Sequence, residues 1–119
     1  MAFEVMEKEE VKSLKRTARY RSVKKNLSDE LKRNGVLGKT YSDLIEDYMD
    51  FWITKQLLVK DIMERGTLIR YNNGGGQTGW KKNDSIEQLV KVNTQMLKLL
   101  DALGLSPPVD VQGDDNALL

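Results

Sequence analysis

The chain has 119 residues, of which 39% are hydrophobic and 31% charged, with a formal net charge of +1, and this balance suits one compact domain with a lean core. Because it contains no cysteine and no histidine, it lacks a disulfide framework, a thiolate site, the commonest metal ligand and the usual general base near neutral pH. The acidic first ten residues do not resemble a signal peptide and no segment approaches the roughly 20 apolar residues of a membrane span, so we expect a soluble, intracellular protein without a cofactor.

The first predicted element is a basic helix over about residues 11–33, and a break near Thr17–Ser22 is left open. Apolar residues spaced by four at Val23, Leu27 and Leu31 support the helix, and Gly35 ends it. Residues 12–33 hold nine Lys and Arg against two acidic residues, a net charge of +7 that leaves −6 for the rest of the chain. Such a split favours one face for a polyanion and another for a different partner.

The strongest functional signal is a basic strip within this segment. Lys12, Lys15, Arg16 and Arg19 recur at i, i+3, i+4 and i+7, which places them on one face of a continuous helix. Such a strip attracts nucleic-acid phosphates without regard to sequence; a solubilising surface is the alternative. No complete helix-turn-helix is visible in residues 1–35. The residues predicted to contact DNA are Lys12, Lys15, Arg16, Arg19, Arg21, Lys24 and Lys25.

A second helix is predicted from Thr40, capped with the help of Asp43, to Arg65, just before Gly66. One apolar stripe comprises Tyr41, Leu44, Ile45, Tyr48, Trp52, Val59 and Ile62, and a second comprises Met49, Ile53 and Leu57. Two stripes exceed what one face of a small core can bury. Either the helix is buried on most sides, or the second stripe meets another subunit.

Two patterns in this region resemble chemical sites but lack what those sites require. Residues 38–40 (Gly-Lys-Thr) resemble the end of a P-loop, but Arg33 stands where the first glycine is needed. Four carboxylates share one helical face, whereas a two-metal hydrolase draws its carboxylates from several elements. We interpret this face as solvated, with a basic partner or the first helix of a neighbouring subunit as the alternative. It comprises Asp43, Glu46, Asp47 and Asp50.

Residues 67–82 predict a hairpin-like excursion. Residues 67–71 have strand propensity, residues 72–76 form a Gly/Asn turn, and residues 77–81 return as a partner strand. Trp80 is expected to anchor this hairpin on the helices or on a neighbouring subunit. Weaker candidates for DNA contact are Lys39, Arg70, Lys81 and Lys82.

The last helix is predicted to begin with an Asp84/Glu87 cap and to end at Gly104, with Leu105 folding back on its last turn. The apolar residues of this helix follow a heptad repeat with one polar member, Asn93. Such a repeat packs either between subunits or in an ordinary core. Its members are Ile86, Leu89, Asn93, Met96, Leu100 and Leu103. The residues predicted to mediate oligomerisation are Ile53, Leu57, Leu89, Asn93, Met96 and Leu100. We expect residues 107–119, which follow the helix, to form a disordered acidic tail.

The order of these elements carries a family pattern over about residues 23–108. A charged helix ends in residues 31–37 (Leu-Lys-Arg-Asn-Gly-Val-Leu), a capped helix runs to Gly66, and a Gly/Asn-rich excursion precedes the last helix. The most specific piece is Leu-Gly-Leu-Ser-Pro at residues 103–107. The chain thereby resembles phage terminase small subunits of the P27 type. It departs from them in two places. Asn-Asp stands at residues 83–84, where the family often has His-Pro, and Val-Asp-Val at residues 109–111 replaces a Ser/Arg-rich tail.

The resemblance implies a mainly α protomer that assembles into an oligomeric ring. From the charge and the periodicity, we expect residues 1–34 to be a basic helical, DNA-contacting segment, residues 35–106 a helical oligomerisation core with a hairpin-like insertion at 67–82, and residues 107–119 the disordered acidic tail. The resemblance also implies a non-catalytic subunit, without cofactor or metal, that binds double-stranded viral DNA and regulates the large ATPase/nuclease subunit. The implied setting is the cytoplasm of the infected bacterial host, with no membrane partner. A small dimeric DNA-binding regulator and a protein-only helical adaptor are the alternatives.

Overall fold

A computed structural model describes residues 2–105 of the protein, with side chains from residue 8 onward. The mainly helical class is confirmed, and the predicted tail at 107–119 lies outside the described residues. The elements in chain order are α1 (Ala2–Lys15), α2 (Ala18–Arg33), α3 (Lys39–Arg65), β1 (Leu68–Asn72), β2 (Thr78–Lys82) and α4 (Ser85–Ala102). No helix in this part of the chain has the length and apolar character needed to cross a membrane.

The predicted basic helix consists of two helices that break at Arg16 and Thr17. Thr17 Oγ1 accepts a hydrogen bond from the Tyr20 N–H at 3.2 Å and donates to the Leu14 carbonyl at 2.7 Å. This side chain therefore caps α2 and closes the last turn of α1. The prediction that four cations share one face of a continuous helix was wrong, because Arg19 lies on the second helix.

Two helices end in the glycine motif that the sequence predicts. Gly35 and Gly104 adopt the left-handed conformation, with φ of 74° and 72°. The N–H groups of Val36 and Leu105, one residue further on, donate to carbonyls five residues back, at 2.9 and 2.8 Å. This is the Schellman arrangement, in which an apolar residue folds back onto the helix. Both predicted stops and the return of Leu105 are confirmed.

Both predicted helix caps were wrong. α3 begins at Lys39 with Gly38 as its N-cap, so Thr40 lies inside the first turn. Asp84 already has helical backbone angles and its side chain makes no capping hydrogen bond. Instead, Asn83 Oδ1 accepts the N–H of Ser85 at 2.9 Å. The N-cap of α3 lies two residues before the predicted Thr40, and at α4 the side chain one residue before Asp84 reaches the free N–H group.

The hydrophobic core forms where α3 packs between α2 and α4. The Trp52 and Tyr20 rings meet edge to face, with centroids 5.7 Å apart. Met49 and Ile53, from the second apolar stripe of α3, are buried in the same core, so this stripe packs within the protomer. The buried hydrophobic residues are Tyr20, Leu31, Ile45, Met49, Trp52, Ile53, Val92, Met96 and Leu103.

The predicted hairpin is confirmed as an antiparallel pair of strands, β1 and β2. Arg70 lies opposite Trp80 and Leu68 lies opposite Lys82, which places these four side chains on one face. The alternate residues of β1, Ile69 and Tyr71, are half-buried. The hairpin therefore has a partly covered inner face and an exposed outer face.

Candidate nucleic-acid interface

Four cations surround the junction between α1 and α2, and we call them the elbow cluster: Lys15, Arg16, Arg19 and Arg21. All four are exposed, and no salt bridge joins any of them to a carboxylate within the described residues. The Arg21 guanidinium donates to the Arg16 carbonyl at 2.9 Å across the junction. These side chains form an unneutralised positive surface of the kind that binds phosphates.

The core holds the backbone of the elbow in place. Tyr20 lies between Arg19 and Arg21 in sequence, and its ring is buried against Trp52 of α3. Because this ring packs inside the protomer, it is unavailable for stacking on bases. The two arginines that flank it are presented from a fixed helix start rather than from a loose arm.

The other three predicted DNA contacts have acidic neighbours. Lys12 pairs with Glu9 at 3.8 Å, and Lys25 pairs with Asp29 at 2.7 Å. Lys24 of α2 pairs with Glu46 of α3, and this hydrogen bond raises the pKa of the Lys24 ammonium. Exposed pairs of this kind contribute little to stability, but each partly neutralises its lysine before any phosphate arrives.

The weaker candidates are divided between two places. Lys39, at the start of α3, pairs with Asp43 at 3.4 Å. Arg70, Lys81 and Lys82 lie on the hairpin, exposed and without a salt bridge among the described residues. Arg70 and Lys82 are on its outer face, and Lys81 is on the other.

The acidic face of α3 meets a basic helix within one chain through the Lys24–Glu46 pair. Asp47 and Asp50 are exposed and make no salt bridge among the described residues. No group of three or more His, Cys, Asp or Glu side chains that could hold a metal ion occurs in the part of the chain described. This face is suited to contact with a cation-bearing surface.

The six predicted oligomerisation residues occupy different environments. Ile53 and Met96 are buried in the protomer's own core, so they are not free to meet a neighbour. Leu57 is half-buried and packs against that core. Leu89, Asn93 and Leu100 are half-buried on α4, and their role between subunits stays a prediction.

A buried polar network that the sequence did not predict lies at the base of the hairpin. Asn83 is fully buried, and its amide donates to Asp61 Oδ2 at 3.1 Å and to the Gly66 carbonyl at 3.0 Å. Asp61 also accepts from Arg65 Nε at 2.6 Å and from the Ser85 hydroxyl at 2.6 Å. The network joins the end of α3, the hairpin and the start of α4. Its only sequence signal is the i, i+4 pair of Asp61 and Arg65.

Comparison with known proteins gives one family match. A family model described as "Phage terminase, small subunit" matches residues 21–109. The matched span includes nearly all of α2, all of α3, the hairpin and α4, and leaves out α1 and three of the four residues of the elbow cluster, Lys15, Arg16 and Arg19. No curated protein and no solved structure was found to match the chain.

Proposed function

We propose, from the premise that the chain belongs to the phage terminase small subunit family, that it is the DNA-recognition and regulatory subunit of a packaging terminase. Membership places the protein in phage DNA packaging, as the component that is generally non-catalytic. In our proposal, several copies assemble into a ring in the cytoplasm of the infected bacterial host. The ring binds double-stranded viral DNA and regulates the large ATPase/nuclease subunit.

The elbow cluster is the observation that carries the DNA-binding part of this proposal. Four cations without acidic partners attract a polyanion by releasing its condensed counterions, and the strength of that attraction falls steeply with salt. No complete helix-turn-helix pattern is visible in the sequence of residues 1–35. We therefore infer contact with the DNA backbone through Lys15, Arg16, Arg19 and Arg21, with smaller contributions from the paired Lys12, Lys24 and Lys25.

The elbow cluster is connected to the core of the protomer through α2. Tyr20 and Leu31 of α2 are buried in the same core as residues of α3 and α4. This arrangement supports a regulatory subunit in which the DNA-bound state is communicated to another surface.

The test is the salt dependence of binding to duplex DNA. We expect Arg16→Ala with Arg19→Ala to weaken binding to all sequences alike and to reduce the slope of log K against log salt by about 1 per lost contact. Lys25→Ala is the matched control, since its ammonium already pairs with Asp29 and should change the slope less. An unchanged slope in the double variant would show that the elbow is not the DNA face.

A further inference from the structure

The outer face of the hairpin presents a large, uncovered aromatic side chain. Trp80 is 66% exposed, with Arg70 directly opposite on β1 and Lys82 two residues further along β2. Neither cation has a salt bridge among the described residues. An exposed tryptophan flanked by cations is typical of an interface anchor, because tryptophan and arginine dominate the energetics of protein interfaces.

The hairpin holds this tryptophan on a fixed support. On the inner face, the Tyr71 ring lies so close to Gly79 that a Cβ atom there would be 2.7 Å from the Tyr71 hydroxyl oxygen. At the base, Asn83 and Asp61 tie the hairpin to α3 and α4. The backbone at Trp80 is therefore held by strand pairing, so little backbone freedom is lost on binding, which favours affinity.

A groove of complementary character lies between α3 and α4. It is an open depression with a volume of about 410 Å³, with Phe51 and Leu99 as its apolar lining and Thr54 and Gln95 beside them. The carboxylate-bearing Asp47 and Asp50 also line it, and neither has a salt bridge among the described residues. Its volume falls within the range of surface clefts that receive a ligand group.

We propose that Trp80 of one copy docks in the α3–α4 groove of a neighbouring copy, where Arg70 and Lys82 face Asp47 and Asp50. This rests on the proposed assembly of several copies. An aromatic side chain flanked by two cations matches an apolar groove flanked by two carboxylates, in polarity and in charge. The two surfaces differ, so each copy uses both, and repetition of such a contact closes a ring when the rotation permits.

Duplex DNA is the less suitable occupant of the hairpin face. It would satisfy Arg70 and Lys82 but would leave the indole of Trp80 against a charged, hydrated backbone. It would also leave the α3–α4 groove empty, since Asp47 and Asp50 repel phosphates. A second copy satisfies both surfaces at once.

The first test measures the mass of the full chain by light scattering over a dilution series. Trp80→Ala should raise the concentration at which the assembly half-dissociates by about 30-fold or more, as expected for an interface hot spot. Leu37→Ala is the matched control, because it removes another strongly exposed apolar side chain, 73% exposed, from a loop outside both surfaces. Circular dichroism should show unchanged helix content in both variants.

The second test exchanges the charges. Arg70→Glu with Lys82→Glu should disrupt assembly, and so should Asp47→Lys with Asp50→Lys, because each places like charges across the contact. A chain that carries all four substitutions should assemble again. Restoration by the combined reversal cannot be explained by damage to the fold.

The possible results separate this contact from assembly in general. If the Trp80→Ala variant assembles as the wild type does, or if the variant with all four charge reversals stays dissociated, the Trp80 contact is overturned. The proposed ring is then left intact. A wild-type chain that remains monomeric overturns both. If Trp80→Ala assembles normally but loses affinity for duplex DNA, the hairpin face belongs to DNA and the contact between copies is rejected.

Discussion

One buried side chain, that of Asn83, connects the two helices on either side of the hairpin. Asn83 has no exposed surface, and its side-chain amide and carbonyl make hydrogen bonds with α3, with Gly66 just after α3, and with α4. A buried amide that lost these partners would be costly. The same network fixes the ionisation of Asp61. Hydrogen bonds from Arg65, then from Ser85 and Asn83, hold the pKa of the Asp61 carboxyl well below its ordinary value.

This lowered pKa predicts an acid dependence of stability. In the unfolded chain Asp61 titrates near its ordinary value of about 3.9. Because the folded-state pKa is lower, the carboxylate contributes its stabilisation in full above about pH 4 and loses it as pH falls toward the folded-state pKa. We expect the free energy of unfolding, measured by urea titration between pH 7 and pH 2.5, to drop less below pH 4 in Asp61→Asn than in the wild type. Equal drops in the two proteins would contradict this role of Asp61.

Secondary structure was predictable where local rules act alone. The stops at Gly35 and Gly104, the hairpin between the two long helices, and the burial of Trp52 followed from glycine conformation, turn residues and apolar periodicity. The break at Thr17 was visible only as an alternative, because the residues on both sides of it favour helix.

Other features depended on tertiary packing that no local pattern fixes. The heptad of α4 was predicted in a phase that includes Leu89 and Asn93, but Val92 is buried while these two are only half-buried. α4 has two sets of apolar residues that are offset around the helix, and contact with α3 determines which set is buried. For the same reason, the sequence identified the four cations of the elbow cluster but not their arrangement around the break between α1 and α2. The partners of Lys12, Lys24 and Lys25 remove charge that the sequence pattern counted as free.

At the scale of the hairpin, Gly79 leaves the room that the Tyr71 ring occupies on the inner face. Gly79→Ala would place a methyl group against the Tyr71 ring, and the ring must move from the inner face to make room. Overpacking of this kind costs about 1–3 kcal/mol, and hydrogen exchange should show faster opening of β1 and β2. Thr78→Ala, on the exposed side of the same strand, is the control and should leave exchange unchanged. Identical protection in Gly79→Ala would show that the ring is not confined.

The whole molecule is elongated rather than compact. Its radius of gyration is 18.4 Å, and its extents are 62, 39 and 23 Å, whereas a compact domain of 100 residues has a radius of gyration of about 13 Å. Few hydrophobic side chains are fully buried, and large apolar ones remain exposed, among them Trp80, Val90 and Leu97. A small domain with so lean a core gains stability from association. Its shape and surface therefore support the proposed assembly of copies.

The most direct test of the account is the native mass of the purified full chain at micromolar concentration, by light scattering on a sizing column. We predict a single discrete species of many subunits, well above the 13.6 kDa of one chain, since a DNA-binding ring needs several elbow clusters on one particle. A monomer or a dimer at that concentration would contradict the assembled terminase small subunit proposed for this protein.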